Sequence, residues 1–141
     1  MRRAEALTLE WSDVDSSNGT VLIRGTKTEE SYRYIILTAD LKRILAGQKK
    51  QNKANGFVGD CVFPFTIYQV SKAFKALCPE HHLHDLRHTF ITRCAECGVN
   101  VAVCQQLVGH ATADMTMNVY THVMDEFKRK EAMKFTLFPK L

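Results

Sequence analysis

The hydrophobic pattern of this chain changes period part-way along, and that change limits the folds open to it. Residues 20–25 (TVLIRG) and 32–38 (YRYIILT) are β-branched and aromatic runs separated by the polar stretch TKTEES, which reads as an antiparallel hairpin. From about Ile67 onward the apolar residues recur at helical spacing instead, over 67–77, 83–97 and 101–108, then in pieces from about 112 to 119 and 122 to 134. Gly98 and Gly109 stand where helix C-terminal caps are expected. Upstream, MRRAEALTLEW has the period of an amphipathic helix through Ala4, Leu7, Leu9 and Trp11, and SSNG at 16–19 marks a turn. Asp40 is placed to cap a helix through Leu41, Ile44 and Leu45 that runs into the basic stretch around Lys49, Lys50 and Lys53 and stops at Gly56. VFPF, at 62–65, is a short buried strand or loop. The expected fold class is α+β, a mostly helical domain with a small antiparallel sheet.

A length of 141 residues suits one hydrophobic core. The net charge of +4 is compatible with a polyanionic partner without requiring one. Five cysteines make an odd number without the spacing of a secreted scaffold, so they are expected to be reduced thiols, mostly small core fillers, Cys94 and Cys97 among them. No apolar run has membrane-spanning length and no signal peptide is visible, so a cytoplasmic protein is expected.

Three histidines and an arginine crowd into HLHDLRH, residues 82–88. On a helix, His84, Arg87 and His88 would share one face, beside a core stripe of Leu83, Leu86, Phe90, Cys94 and Cys97. His84 and His88 have the spacing of zinc ligands, but Arg87 between them would repel a cation, and Cys94 and Cys97 fall on the apolar side. Hydrogen-bonded surface and core histidines are the plain alternative. An anion site suits the residue types better: arginine offers a fixed fork of donors to phosphate oxygens, and histidine exchanges protons near neutral pH.

Together with HDLRHTF, the stretches MRRAEALTLEW, IRGTKTEESYRYIIL and QQLVGHATADMTMNVYTHV resemble, in order, the catalytic domain of the tyrosine recombinases, the phage integrase family. The likeness covers nearly the whole chain. It implies a catalytic set of Arg2 (ahead of the helical Glu5), Lys27, His84, Arg87, His110 and the nucleophile Tyr120, with His88 in support. It also implies double-stranded DNA as substrate, other recombinase protomers as partners in a dimer or tetramer with possible exchange of the C-terminal tail, no cofactor and no metal. The domain is expected to span 1–141, without the first helices and the N-terminal DNA-binding domain of full-length relatives.

The chemistry agrees with those roles. A tyrosine hydroxyl has a pKa near 10, so attack on phosphorus at neutral pH needs a base and a cationic surround. Arg2 and Arg87 would neutralise the non-bridging oxygens, a task metal ions perform elsewhere. Lys27 would protonate the departing 5′ hydroxyl, His84 act as acid or base, and His110 hydrogen-bond the phosphate. Taken singly, Tyr120 also reads as a packing aromatic, and Arg2, Lys27 and the lysines at 49, 50 and 53 as solvated charges. The other functional readings are a non-catalytic DNA-binding fragment of this fold and a type IB topoisomerase. The apolar residues Phe127, Met133, Phe135, Leu137 and Phe138 suit a tail docked on a neighbouring protomer or folded back on its own core.

Overall fold

The computed structural model describes residues 1–25, 32–110 and 114–132. Lys27 and the tail residues from Met133 onward lie outside the described residues, and the side chain of Phe127 is not described either. The chain forms two compact units, Met1–Arg87 and His88–Leu141.

In the first unit, helix α1 (Arg3–Leu7) is followed by a 3-10 turn (Trp11–Asp13) and a three-stranded antiparallel sheet of β1 (Val14–Asp15), β2 (Thr20–Ile23) and β3 (Arg33–Ile36) in the order β1-β2-β3. The expected hairpin is β2–β3, with Val21 opposite Ile35 and Ile23 opposite Arg33. Strand periodicity turns Val21 and Ile23 into the core and leaves Tyr34 and Ile36 outside. β1 is an addition that the pattern does not announce. Its turn is closed by Asp15, whose Oδ1 accepts from the amides of Ser17 and Asn18 at 2.9 Å.

α1 is shorter than the apolar period suggests. Leu9 leaves the helix to join the core with Val21, Ile23, Leu37, Leu45 and Val62. Its carbonyl accepts from the Val62 amide at 2.9 Å, while Trp11 N donates to Asp60 O at 2.8 Å. The VFPF segment is a loop held at its start by the first of these bonds, with Val62 buried and Phe65 exposed. Helix α2 (Ala39–Ala54) is capped by Thr38, two residues before Asp40: its Oγ1 accepts from Leu41 N, and Asp40 falls in the first turn. Gly56 follows its end with φ +69°, as expected. Near that end Lys49 lies over the Trp11 ring, Nζ 5.2 Å from its centroid. Buried Asn52 donates to Val62 O at 3.0 Å, tying α2 to the same loop.

Helix α3 (Ile67–Leu77) has the expected bounds, set by a reciprocal cap of Thr66 and Gln69. α1, α3, Phe63, Phe65 and Leu86 line an open apolar groove of about 840 Å³. Helix α4 (Asp85–Glu96) begins later than the periodicity implied, leaving Leu83 and His84 in the preceding turn. The unit boundary falls inside α4.

The second unit holds the rest of α4, α5 (Val101–Val108) and α6 (Asp114–Ala132) around Ile91, Cys94, Ala95, Cys104, Val108 and Tyr120. Gly98, at φ +70°, closes α4, with Gly98 N donating to Ala95 O and Val99 N to Cys94 O. Asn100 then caps α5 through the Ala102 amide. The two expected helical pieces after residue 112 are one helix. Thr121 does not interrupt it, because its hydroxyl donates to Met117 O one turn back.

The expected core stripe of α4 is rotated. Leu86 and Phe90 are exposed, Cys97 is exposed rather than core, and Arg87, Ile91, Cys94 and Ala95 take the buried positions. Among the described residues no helix is long and apolar enough to cross a membrane.

Candidate active site

Arg2 is the N-cap residue of α1, and its placement depends on Glu5 one turn on. The Glu5 carboxylate accepts from the Arg2 amide at 2.5 Å and from Arg2 Nη1 at 2.8 Å. The same carboxylate receives Arg33 from β3 in a two-point pair, Nη2–Oε2 2.8 Å and Nη1–Oε1 3.2 Å. The Glu5 side chain is wholly buried. Burial alone pushes its carboxyl up, but the hydrogen bonds from Arg33 and Arg2 outweigh it and hold the group at about 2. Arg2 and Arg33 therefore meet in this unit on the Glu5 carboxylate.

Arg87 is 6% exposed, in the first turn of α4. Its amide donates to His84 O at 3.0 Å, and the turn between them is braced by Asp85, whose Oδ2 accepts from His82 N at 2.8 Å. His84 is exposed and precedes the helix, so the single helical face expected for His84, Arg87 and His88 does not form. Arg87 points inward while His84 and His88 are exposed; the H-x-x-R spacing works through a turn, not through a helix face.

In the second unit, α5 ends at Gly109 in the left-handed region, φ +67° and ψ +53°. His110 follows directly, and its Nδ1 lies 2.7 Å from Oγ1 of Thr116, a fully buried residue of α6. That bond fixes the ring through Nδ1 and leaves Nε2 as the nitrogen on the far edge. Tyr120 sits one helical turn after Thr116 and is 6% exposed. Its hydroxyl is enclosed, with the Cys104 thiol as polar neighbour. Burial, then the contact with Cys104, pushes the phenol well above its ordinary pKa. Cys94 beside it is pushed up to about 12, chiefly by burial and then by Cys104.

The first unit thus holds Arg2 on Glu5, and Arg87 in the first turn of α4 with His84 on the turn before it; the second holds His110 against Thr116, one helical turn before Tyr120. Sequence reasoning missed Arg33, Thr116 and Cys104. Strand alternation carried a signal for Arg33, since it shares the inward face with Ile35. Helical spacing carried one for Thr116, four residues before Tyr120.

Against this geometry, the profile of the phage integrase family matches residues 1–126. The chain belongs to the phage integrase family. All six residues of the expected catalytic set lie within the matched span of this integrase-family chain. It is similar to the tyrosine recombinase XerA of Saccharolobus solfataricus, 30% identical over 134 residues, covering 95% of this chain and 45% of that protein. The integrase of Staphylococcus phage L54a is 29% identical over 168 residues, covering 95% of this chain and 48% of its own. The chain spans about half the length of these curated relatives. Among solved structures, XerA recombinase matches with TM-score 0.74 at 22% identity, over 99% of this chain and 53% of that one, a likeness of fold. XerH recombinase bound to palindromic difH substrate, in a post-cleavage complex, matches with TM-score 0.72 at 28% identity, over 96% and 42%.

Proposed function

We propose that this chain carries the catalytic chemistry of a site-specific DNA recombinase, acting as one domain of a longer protein in the cytoplasm, as for integration or excision of a mobile element. What supports the reading most is that the family match spans residues 1–126, from before Arg2 to beyond Tyr120. In this mechanism the Tyr120 oxygen attacks a DNA phosphorus and the 5′ oxygen leaves, giving a 3′-phosphotyrosine that conserves the energy of the broken bond. Arg2 and Arg87 neutralise the non-bridging oxygens as charge builds on them. His84 takes up the phenolic proton, Lys27 delivers one to the departing 5′ oxygen, and His110 donates to the phosphate. The second step reverses the first, with a different 5′ hydroxyl as attacker. The raised phenol makes an assisting base necessary, because spontaneous ionisation at neutral pH is rarer than for free tyrosine. Duplex DNA carrying a recombination site is the substrate, and further protomers in a dimer or tetramer on that DNA are the partners.

The test is incubation with a nicked suicide duplex of the cognate site. An adduct that survives SDS, forms in EDTA and is lost in Tyr120→Phe supports the reading; no adduct from the full-length protein removes it. One observation favours the second reading, a binding-only fragment: the Tyr120 hydroxyl is enclosed rather than presented. Salt-dependent DNA affinity without adduct would select it.

A further inference from the structure

Arg33 is a cation on the inward face of a small sheet, a position strand alternation reserves for apolar side chains. It stands opposite Ile23, which is buried, and its own side chain is 9% exposed. A charge there is costly unless paired, and the partner is the Glu5 carboxylate, which takes both terminal nitrogens. The same carboxylate holds the Arg2 amide and guanidinium. β3 begins at Arg33, directly after the segment that contains Lys27. The other stem of that segment is tied in the same manner, Arg24 reaching the buried Asp13 carboxylate at 2.7 Å.

We propose that Arg33 is a positioning residue for the Arg2 guanidinium, acting through the carboxylate they share, and that it couples Arg2 to the stem of the Lys27 segment. This rests on the recombinase reading for its catalytic consequence, though not for the coupling itself. With its fork spent on Glu5, Arg33 does not serve as a third phosphate ligand. Its work is to hold Glu5 in one rotamer, so that Arg2 leaves its own stem in one direction. Removing it leaves a buried carboxylate facing Arg2 alone, which pulls that guanidinium inward and away from solvent.

The experiment uses the full-length protein with Arg33→Met, Arg2→Ala and the double variant. On the nicked duplex, Arg33→Met is expected to slow adduct formation at least tenfold while DNA affinity stays within twofold. In the Arg2→Ala background it is expected to add less than twofold, because the group it positions is gone. Arg33→Lys, which keeps the charge without the fork, recovers part of the rate. Equal losses in both backgrounds, or no loss in either, overturn the proposal. Amide hydrogen exchange is measured alongside, without DNA, on residues 1–9 and 32–37. Faster exchange in both segments of Arg33→Met, with the thermal transition intact, supports the coupling; unchanged exchange in residues 1–9 overturns it. Should the unaltered protein make no adduct, the recombinase reading falls and the exchange arm alone decides the coupling. If Arg33→Met does not fold, Glu5→Gln/Arg33→Met, which removes both buried charges, takes its place in both arms.

Discussion

His110 is locked to Thr116 by a 2.7 Å hydrogen bond through Nδ1, and Thr116 lies about one helical turn ahead of Tyr120 on the same helix. One buried hydroxyl therefore sets the orientation of the proposed phosphate donor from the helix that carries the proposed nucleophile. Thr116→Val keeps the volume and removes the bond. Its expected cost in stability is small, about 1 kcal/mol. Adduct formation is expected to fall between about tenfold and a hundredfold, since a misdirected donor is lost even when the fold stands. A wild-type rate in a folded Thr116→Val protein would show that the bond is incidental.

Glu5 makes the first unit acid-sensitive. Its carboxyl is held at about 2 against an ordinary 4.5, so the stabilisation it gives is present above pH 4.5 and disappears as pH falls towards 2. Glu5→Gln leaves two arginines facing a neutral amide in a buried site. It is expected to cost about 3 kcal/mol at neutral pH and to flatten the acid limb of the stability curve. Denaturant midpoints at several pH values read both effects.

Alkali acts on the second unit with the opposite sign. Cys94 is raised from 9 to about 12 and Tyr120 is raised as well, both by burial first. Each binds its proton more tightly when folded, so stability is full below pH 9 and declines as pH rises through 9 towards 12. Cys94→Ala is expected to remove the earlier part of that decline and leave the part due to Tyr120. Thermal midpoints across this range test it.

Gly109 turns the chain from α5 into His110 at φ +67°. Gly109→Ala forces an L side chain into the left-handed region at a cost of about 1–2 kcal/mol. The adduct rate is expected to fall further than that loss of stability explains, because His110 is the next residue. A rate that tracks folded fraction alone would assign Gly109 to the fold only.

The sequence made legible those elements whose ends are marked locally. α3 and α5 have the expected bounds because Thr66 with Gln69, Asn100 and Gly109 are strong stop and start signals. α1 is shorter than its sequence pattern because Leu9 and Trp11 obey helical spacing yet bond to Val62 and Asp60, some fifty residues away, and no local pattern carries that pairing. The buried face of α4 departs from its hydrophobic pattern for a different reason. Hydrophobicity put Leu86 and Phe90 inside, whereas the structure buries the guanidinium of Arg87 and opens Leu86 to a groove. The motif residues were legible through family likeness; the partners that hold them, Arg33 and Thr116, make ordinary-looking contacts that only folding creates.

The shared carboxylate also has an evolutionary consequence. Neither Glu5 nor Arg33 can drift to an uncharged residue alone without weakening the pairing of a buried ion, whereas their joint replacement by apolar side chains removes both charges from the interior. Across descendants of a common ancestor, positions 5 and 33 are therefore expected to covary, with single changes purged and paired changes tolerated only where another group has taken over the steering of Arg2.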